Sequence, residues 1–254
     1  PAEFLTGQGV DIRPHPHIGL ATVTYLFQGM FHHRDRLGTD QWIEPGAGNL
    51  MTAGHGITHS ERIDGEALKN PYRLSGIQTW LALPAGAEDG QPDFIHAPKA
   101  ALPVIEGDGI KLRLILGEAF GATAPVPVAS EMFYADAWVE PGKHLPMPDN
   151  HEDRGAYVFE GSVKIAGQTY EAGQMMVFRP GDRMSMQAGD AGARVMILGG
   201  ATLEGPRYIW WNFVASSQDR IDAAKEAWRA GDWAHGRFQL PPGDDDEFIP
   251  LPDR

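Results

Sequence analysis

Ten histidines stand in the 254-residue chain, and six of them fall between positions 15 and 59. Within that run, His15-Pro16-His17 and His59-Ser60-Glu61 each place metal-capable side chains at i and i+2. On an extended strand such a pair points to one face. Two strands of this kind, turned toward one interior, would present three imidazoles and one carboxylate to a single point. Three neutral nitrogens and one oxygen, without sulfur, suit a divalent first-row ion: Fe(II), Mn, Co, Ni, Cu(II) or Zn. Four protein ligands around an octahedral-leaning ion leave positions for water, substrate or O2. A lone HxH or HxE is most often an ordinary surface or turn pair, but their coincidence on either side of Pro45-Gly46 favours the metal site. His32 and His33 follow the turn at Gly29 and are expected at a rim. His55, between Gly54 and Gly56, is expected at the pocket entrance. His144, His151 and His235 share no paired spacing and are read as structural.

Positioning such a site requires strands, and the chain supplies them. Thr22–Phe27 is rich in β-branched and aromatic residues, Gly76–Leu83 runs into Pro84, and Ile110–Leu116 alternates apolar and basic residues. The second half repeats the style through 132–139, 156–159, 162–165, 174–178 and 193–198, each run closed by a glycine-based turn. The 31 glycines and 20 prolines make one residue in five, against about one in eight in average proteins. Tyr25-Leu26-Phe27-Gln28-Gly29 resembles Tyr157-Val158-Phe159-Glu160-Gly161, and Glu44-Pro45-Gly46 resembles Arg179-Pro180-Gly181, so a duplication is expected. The expected architecture is all-β: two tandem barrels, 1–120 and 121–254, joined through the uncharged stretch 119–129. One helix is expected at 217–230, with Ile221, Ala224 and Trp228 on a face packed against the second barrel. Asp244-Asp245-Asp246-Glu247 reads as a solvated acidic turn.

Composition excludes several functions. With 21 Lys and Arg against 34 Asp and Glu, the charge of −13 argues against nucleic acid or an anionic membrane as partner. No apolar run approaches the roughly 18 residues of a membrane span. The lack of cysteine excludes disulfides, thiolate ligands and a cysteine nucleophile, and a cytoplasmic location and a monomer are the default expectations. The chain opens on Pro1, so an upstream segment is expected to have been removed or left out.

In order, the motifs are His15-Pro16-His17, Thr22-Val23-Thr24-Tyr25-Leu26, Pro45-Gly46 and Met51-Thr52-Ala53-Gly54-His55-Gly56-Ile57-Thr58-His59-Ser60-Glu61. Together they resemble the signature of the pirin family, within the cupin superfamily. Ala156-Tyr157-Val158, Gly199-Gly200, Trp211-Asn212-Phe213-Val214 and the closing Glu247-Phe248-Ile249-Pro250-Leu251-Pro252 extend the resemblance over essentially the whole chain. It implies two cupin barrels, each a double-stranded β-helix or jelly roll, the first of them metal-binding. Family members usually carry several dozen residues before the HPH motif, so the first barrel is expected to lack its opening segment. Carried over by position, the family's ligands fall on His15, His17, His59 and Glu61. One divalent metal is implied, iron foremost, with nickel, copper, manganese, cobalt or zinc as alternatives.

Three departures stand out. Ala21 replaces an acidic residue frequent in the family, which removes a candidate acid–base group. His55 replaces a frequent arginine. Leu145 and Met147 stand where a second HxH would be, so the second barrel is expected to be metal-free. The resemblance implies two functions. One is a quercetin 2,3-dioxygenase-like activity on a small aromatic flavonol and O2, with Glu61 as catalytic proton acceptor as well as ligand. The other is a metal- or redox-sensing regulator that binds transcription factors or metabolic enzymes. An unrelated oxygenase or isomerase activity is a third reading, since one fold hosts many chemistries.

Overall fold

The structure is a computed structural model that describes residues 2–63, 65–69 and 71–252. It divides into two units: Pro1–Lys99 with Leu203–Arg254, and Ala100–Thr202. Among the described residues no helix is long and apolar enough to cross a membrane.

The first unit holds β1 (Ala2–Phe4), β2 (Asp11–His17), β3 (Leu20–Gln28), β4 (Phe31–Asp35), β5 (Asp40–Ile43), β6 (Gly48–Thr52), β7 (Ile57–Arg62), β8 (Tyr72–Ala82) and β9 (Asp93–Ala97). They form two antiparallel sheets, ordered β1-β8-β3-β6-β9 and β2-β7-β4-β5. β3 is central in the first sheet and buried on both faces along most of its length, which is why TVTYLF reads as a continuous β-branched and aromatic run. In the second sheet β7 lies between β2 and β4, with His59 opposite His15 on one side and Asp35 on the other. Glu61 faces His33 in the same way.

The second unit holds β10 (Val104–Gly107), β11 (Ile110–Ala119), β12 (Ala122–Thr123), β13 (Met132–Val139), β14 (His144–Pro146), β15 (Asp153–Ile165), β16 (Gln168–Glu171), β17 (Met175–Phe178) and β18 (Ser185–Gly200). The path runs β10-β11-β13-β18-β15-β16, with β14 on β18 and β17 on β15. Alternate residues of β13 (Phe133, Ala135, Ala137 and Val139) enter a core shared with Leu112, Leu114, Val158, Val195 and Ile197. Leu145 and Met147 belong to that core, so the positions of a second HxH are apolar packing residues. On the other face of β13, Asp136 takes a bidentate pair from Arg194 at 2.7 and 3.0 Å. Two tandem all-β jelly-roll units are therefore present, as expected.

Two expectations change. β11 pairs with β13 from Ile110↔Val139 to Gly117↔Phe133, so 100–120 lies with the second unit rather than closing the first. The chain also returns: β19 (Tyr208–Trp210), β20 (Phe213–Ala215) and α1 (Gln218–Ala230) belong to the first unit. Ile221, Ala224 and Trp228 of α1 pack with Ile18, Phe213 and Phe238, not against the second barrel. The helical periodicity identified the apolar face, but periodicity does not name its partner. Ser217 is the N-cap residue and Gly231, in the left-handed region, ends the helix.

Candidate metal centre

β2 and β7 run antiparallel with His15 opposite His59, and each strand adds a second same-face residue, His17 and Glu61. The donor atoms of His15, His17 and His59 lie within 4.8 Å of one another, and all three side chains are buried. The ring centroids of His15 and His59 are 4.3 Å apart, and the Nε2 atoms of His17 and His59 approach to 3.1 Å.

The other side of each ring is committed. His15 Nδ1 lies 2.9 Å from the Arg13 carbonyl and His17 Nδ1 lies 3.2 Å from the Asn212 carbonyl. A carbonyl only accepts, so both rings carry the proton on Nδ1 and keep the Nε2 lone pair. Burial is the largest influence on all three rings. It takes His15 down to about 4 and holds His17 and His59 well below the ordinary imidazole value, with repulsion from neighbouring histidines adding to it. The three imidazoles are thus neutral near pH 7, and the Nε2 atoms of His17 and His59 face one another at hydrogen-bond distance. A set of buried neutral imidazoles converging in this way fits a divalent cation, which binds the neutral ring.

Glu61 is buried in the same unit but is not one of the three groups that converge so closely. Its Oε1 accepts a 2.5 Å hydrogen bond from Gln78 Nε2, and Gln78 also donates to Thr24 Oγ1 at 3.1 Å. Burial pushes the Glu61 carboxyl up to about 7, although the Gln78 bond acts in the opposite sense. Trp80, on the same strand as Gln78, sets its ring edge-on to His17 at 5.6 Å and is 40% exposed. Ala21 is buried in β3, between Leu81 and Thr52.

Two of the remaining histidines depart from expectation. His32 and His33 are not at a rim: both are buried. His32 stacks on Trp42 at 4.6 Å and contacts Asp40. His33 stands directly behind His59, with the two Nδ1 atoms 3.3 Å apart, and its Nε2 lies 3.1 Å from Asp35 Oδ2. His33 and Asp35 share the i, i+2 spacing of the two ligand pairs, so the signal was present in the sequence. What the sequence lacked was the register of β4 on β7. His55 donates from Nδ1 to the Gly90 carbonyl and lines a cavity of about 220 Å³ with Gly19, Glu88, Arg220 and Arg237. None of the three clustered histidines lines that cavity. A wider depression of about 830 Å³ lies in the second unit, around Trp138, Glu160 and Arg194. Its lining includes no histidine, so volume does not mark the metal-capable site.

Comparison with known proteins follows the same lines. The pirin profile matches residues 1–81, and the profile of the pirin C-terminal cupin domain matches 134–234. A pirin-like protein of Caulobacter vibrioides is 47% identical over 256 residues, spanning all of this chain and 86% of the relative. The chain belongs to the pirin family. A second pirin relative, from Pseudomonas aeruginosa and named provisionally as a quercetin 2,3-dioxygenase, is 38% identical over 99% of this chain and 78% of its own. The crystal structure of a quercetin 2,3-dioxygenase from Acinetobacter baumannii superposes with a TM-score of 0.89 at 34% identity, covering 100% of this pirin and 83% of that chain. The structural likeness thus extends over both units.

Proposed function

We propose that this pirin is a mononuclear metal-dependent dioxygenase that opens a flavonol ring with O2. The observation that carries the reading is the convergence of three buried, neutral imidazoles on one point. The names carried by the Pseudomonas and Acinetobacter relatives support the substrate class. His15, His17 and His59 would hold the ion through Nε2, with Glu61 as the oxygen donor. Fe(II) is the ion we assign first among those the nitrogen–oxygen set accepts. When bound, the ion would supply Lewis-acid polarisation of a coordinated hydroxyl and redox access to O2.

The chain's own part is proton transfer and orientation. Burial raises the Glu61 carboxyl to about 7 in the metal-free protein, and beside an ion that lowers the pKa of a coordinated hydroxyl the carboxylate would take the phenolic proton. Gln78 holds Oε1, so Oε2 is the oxygen we assign to the flavonol 3-hydroxyl proton. Ile57, opposite His17 on the neighbouring strand, is fully buried and packs with Met51 and Ala53 in an apolar cluster. Trp80, half open beside His17, offers a face on which an aromatic ring can stack. The net reaction balances as flavonol plus O2 giving the ring-opened ester and carbon monoxide.

Anaerobic reconstitution with Fe, Ni, Cu, Mn, Co or Zn, followed by quercetin and O2, tests this. Loss of the flavonol absorbance with release of about one carbon monoxide per O2 is expected with at least one ion. Metal bound with full stoichiometry but no ring opening would turn the reading toward the regulatory alternative.

A further inference from the structure

Behind His59 runs a second line of buried polar groups that the proposed chemistry does not use. Asp35 is completely buried, and its Oδ1 accepts from the Leu37 amide at 2.8 Å and the Thr39 amide at 3.2 Å. Its Oδ2 lies 3.1 Å from His33 Nε2, and His33 Nδ1 lies 3.3 Å from His59 Nδ1. Phe94 stacks on the His33 ring at 4.4 Å and 22°, fixing its plane. β4 and β7 hold the three residues in register, with Asp35 opposite His59 and His33 opposite Glu61.

We propose that His33 and Asp35 are positioning residues that set the tautomer of His59 and so aim its Nε2 lone pair at the metal. The direction follows from the donors and acceptors. A carboxylate whose other oxygen is held by two backbone amides accepts at Oδ2, so His33 donates from Nε2. With His33 as the neutral ring the relay requires, its Nδ1 is the acceptor, His59 donates from Nδ1, and His59 Nε2 is left with its lone pair. Reversing the line would put a proton on Nε2 of His59, the atom 3.1 Å from Nε2 of His17, and close the site. His15 and His17 are each aimed by a carbonyl. His59 is aimed by a two-residue relay ending in a carboxylate. Outer partners of this kind fix ring orientation and typically change metal affinity 10–100-fold.

The inference rests on the reading of His15, His17 and His59 as metal ligands, and one experiment separates the two. Asp35→Asn keeps the amide-binding oxygen but turns an NH2 donor toward His33, which forces the reversed line. Long-range ¹H–¹⁵N spectra of the metal-free protein near pH 7 are expected to show His59 protonated on Nδ1 in the wild type and on Nε2 in Asp35→Asn. Equilibrium titration with Ni(II) is expected to show a roughly 10–100-fold loss in Asp35→Asn and His33→Leu. His33→Asn, whose amide oxygen replaces the Nδ1 acceptor, is expected to restore most of that affinity. An unchanged His59 tautomer in Asp35→Asn, or equal affinity in His33→Leu and the wild type, would overturn the relay. A wild type that binds no metal would overturn the metal-centre reading instead, and the spectra of the metal-free protein would still judge the relay.

Discussion

The chemistry of the site is set at single residues, where burial and hydrogen bonding choose the protonation state. His15, with its pKa lowered to about 4, is neutral in the fold throughout the range where a free histidine gains a proton. Its contribution to stability is therefore full above pH 6.5 and is lost as pH falls toward 4. Glu61, raised to about 7, behaves oppositely: its contribution is full below the ordinary carboxyl value and is lost as pH rises through 7. Metal-free Glu61→Gln should therefore gain stability over the wild type between pH 5 and pH 8, by about 3 kcal/mol at most. Denaturant titration of both proteins at the two pH values measures it, and parallel behaviour would show that Glu61 is not held protonated. If Glu61 ligates the ion, metal binding at pH 6 also releases about one proton, whereas a three-histidine site releases almost none. Calorimetry in buffers of different ionisation enthalpy distinguishes the two. At this scale the sequence was legible wherever i, i+2 spacing on a strand decided the face, as for His15, His17, His59 and Glu61. It misplaced His33 because only the pairing of β4 with β7 brings that ring behind His59.

Elements matter because the site is closed by a segment far away in sequence. Asn212, whose carbonyl aims His17, lies between β19 and β20, and the next strand docks beside Ile18 through the Val214 amide and the Ile18 carbonyl. The approach is close at Gly19, whose φ is +64° and where a Cβ would stand 2.0 Å from the Val214 carbonyl oxygen. Gly19→Ala should cost about 1–3 kcal/mol and weaken metal binding as the strand that holds Asn212 is pushed away. Thermal unfolding and metal titration together check it, and a stability loss with unchanged affinity would detach this strand from the site. Trp228 of α1 is buried and donates from Nε1 to the Ile249 carbonyl at 3.0 Å. Trp228→Ala should cost roughly 3–5 kcal/mol, read from the unfolding midpoint. The helix was visible in the spacing of Ile221, Ala224 and Trp228, yet its destination was not. An apolar stripe states that a face is buried, and only the return of the chain to the first unit states where.

For the whole molecule, two jelly-roll units carry different interiors. The first buries histidines and Glu61, whereas the second packs Leu145, Met147 and their neighbours into an apolar core. The duplication was legible in the repeated Tyr-x-Phe-x-Gly and Pro-Gly turns, but the boundary was not, because composition marks a linker at 119–129 while hydrogen bonding assigns β11 to β13. A ligand that bridges β2 and β7 should slow amide exchange in those strands, by up to about 2.7 kcal/mol at a hundredfold excess over Kd. It should leave local openings of β13 and β15 as they were. Exchange slowed equally in both units would mean that the ion acts elsewhere. The claim on which all of this depends is that one ion sits on the Nε2 atoms of His15, His17 and His59. X-ray absorption at the metal edge of the reconstituted protein, with the metal content of the same sample, tests it most directly. One ion per chain with three imidazole scatterers, reduced to two in His59→Ala or lost with the ion, is the predicted result. An ion whose first shell contains no imidazole, or a first shell unchanged by His59→Ala, would contradict the account.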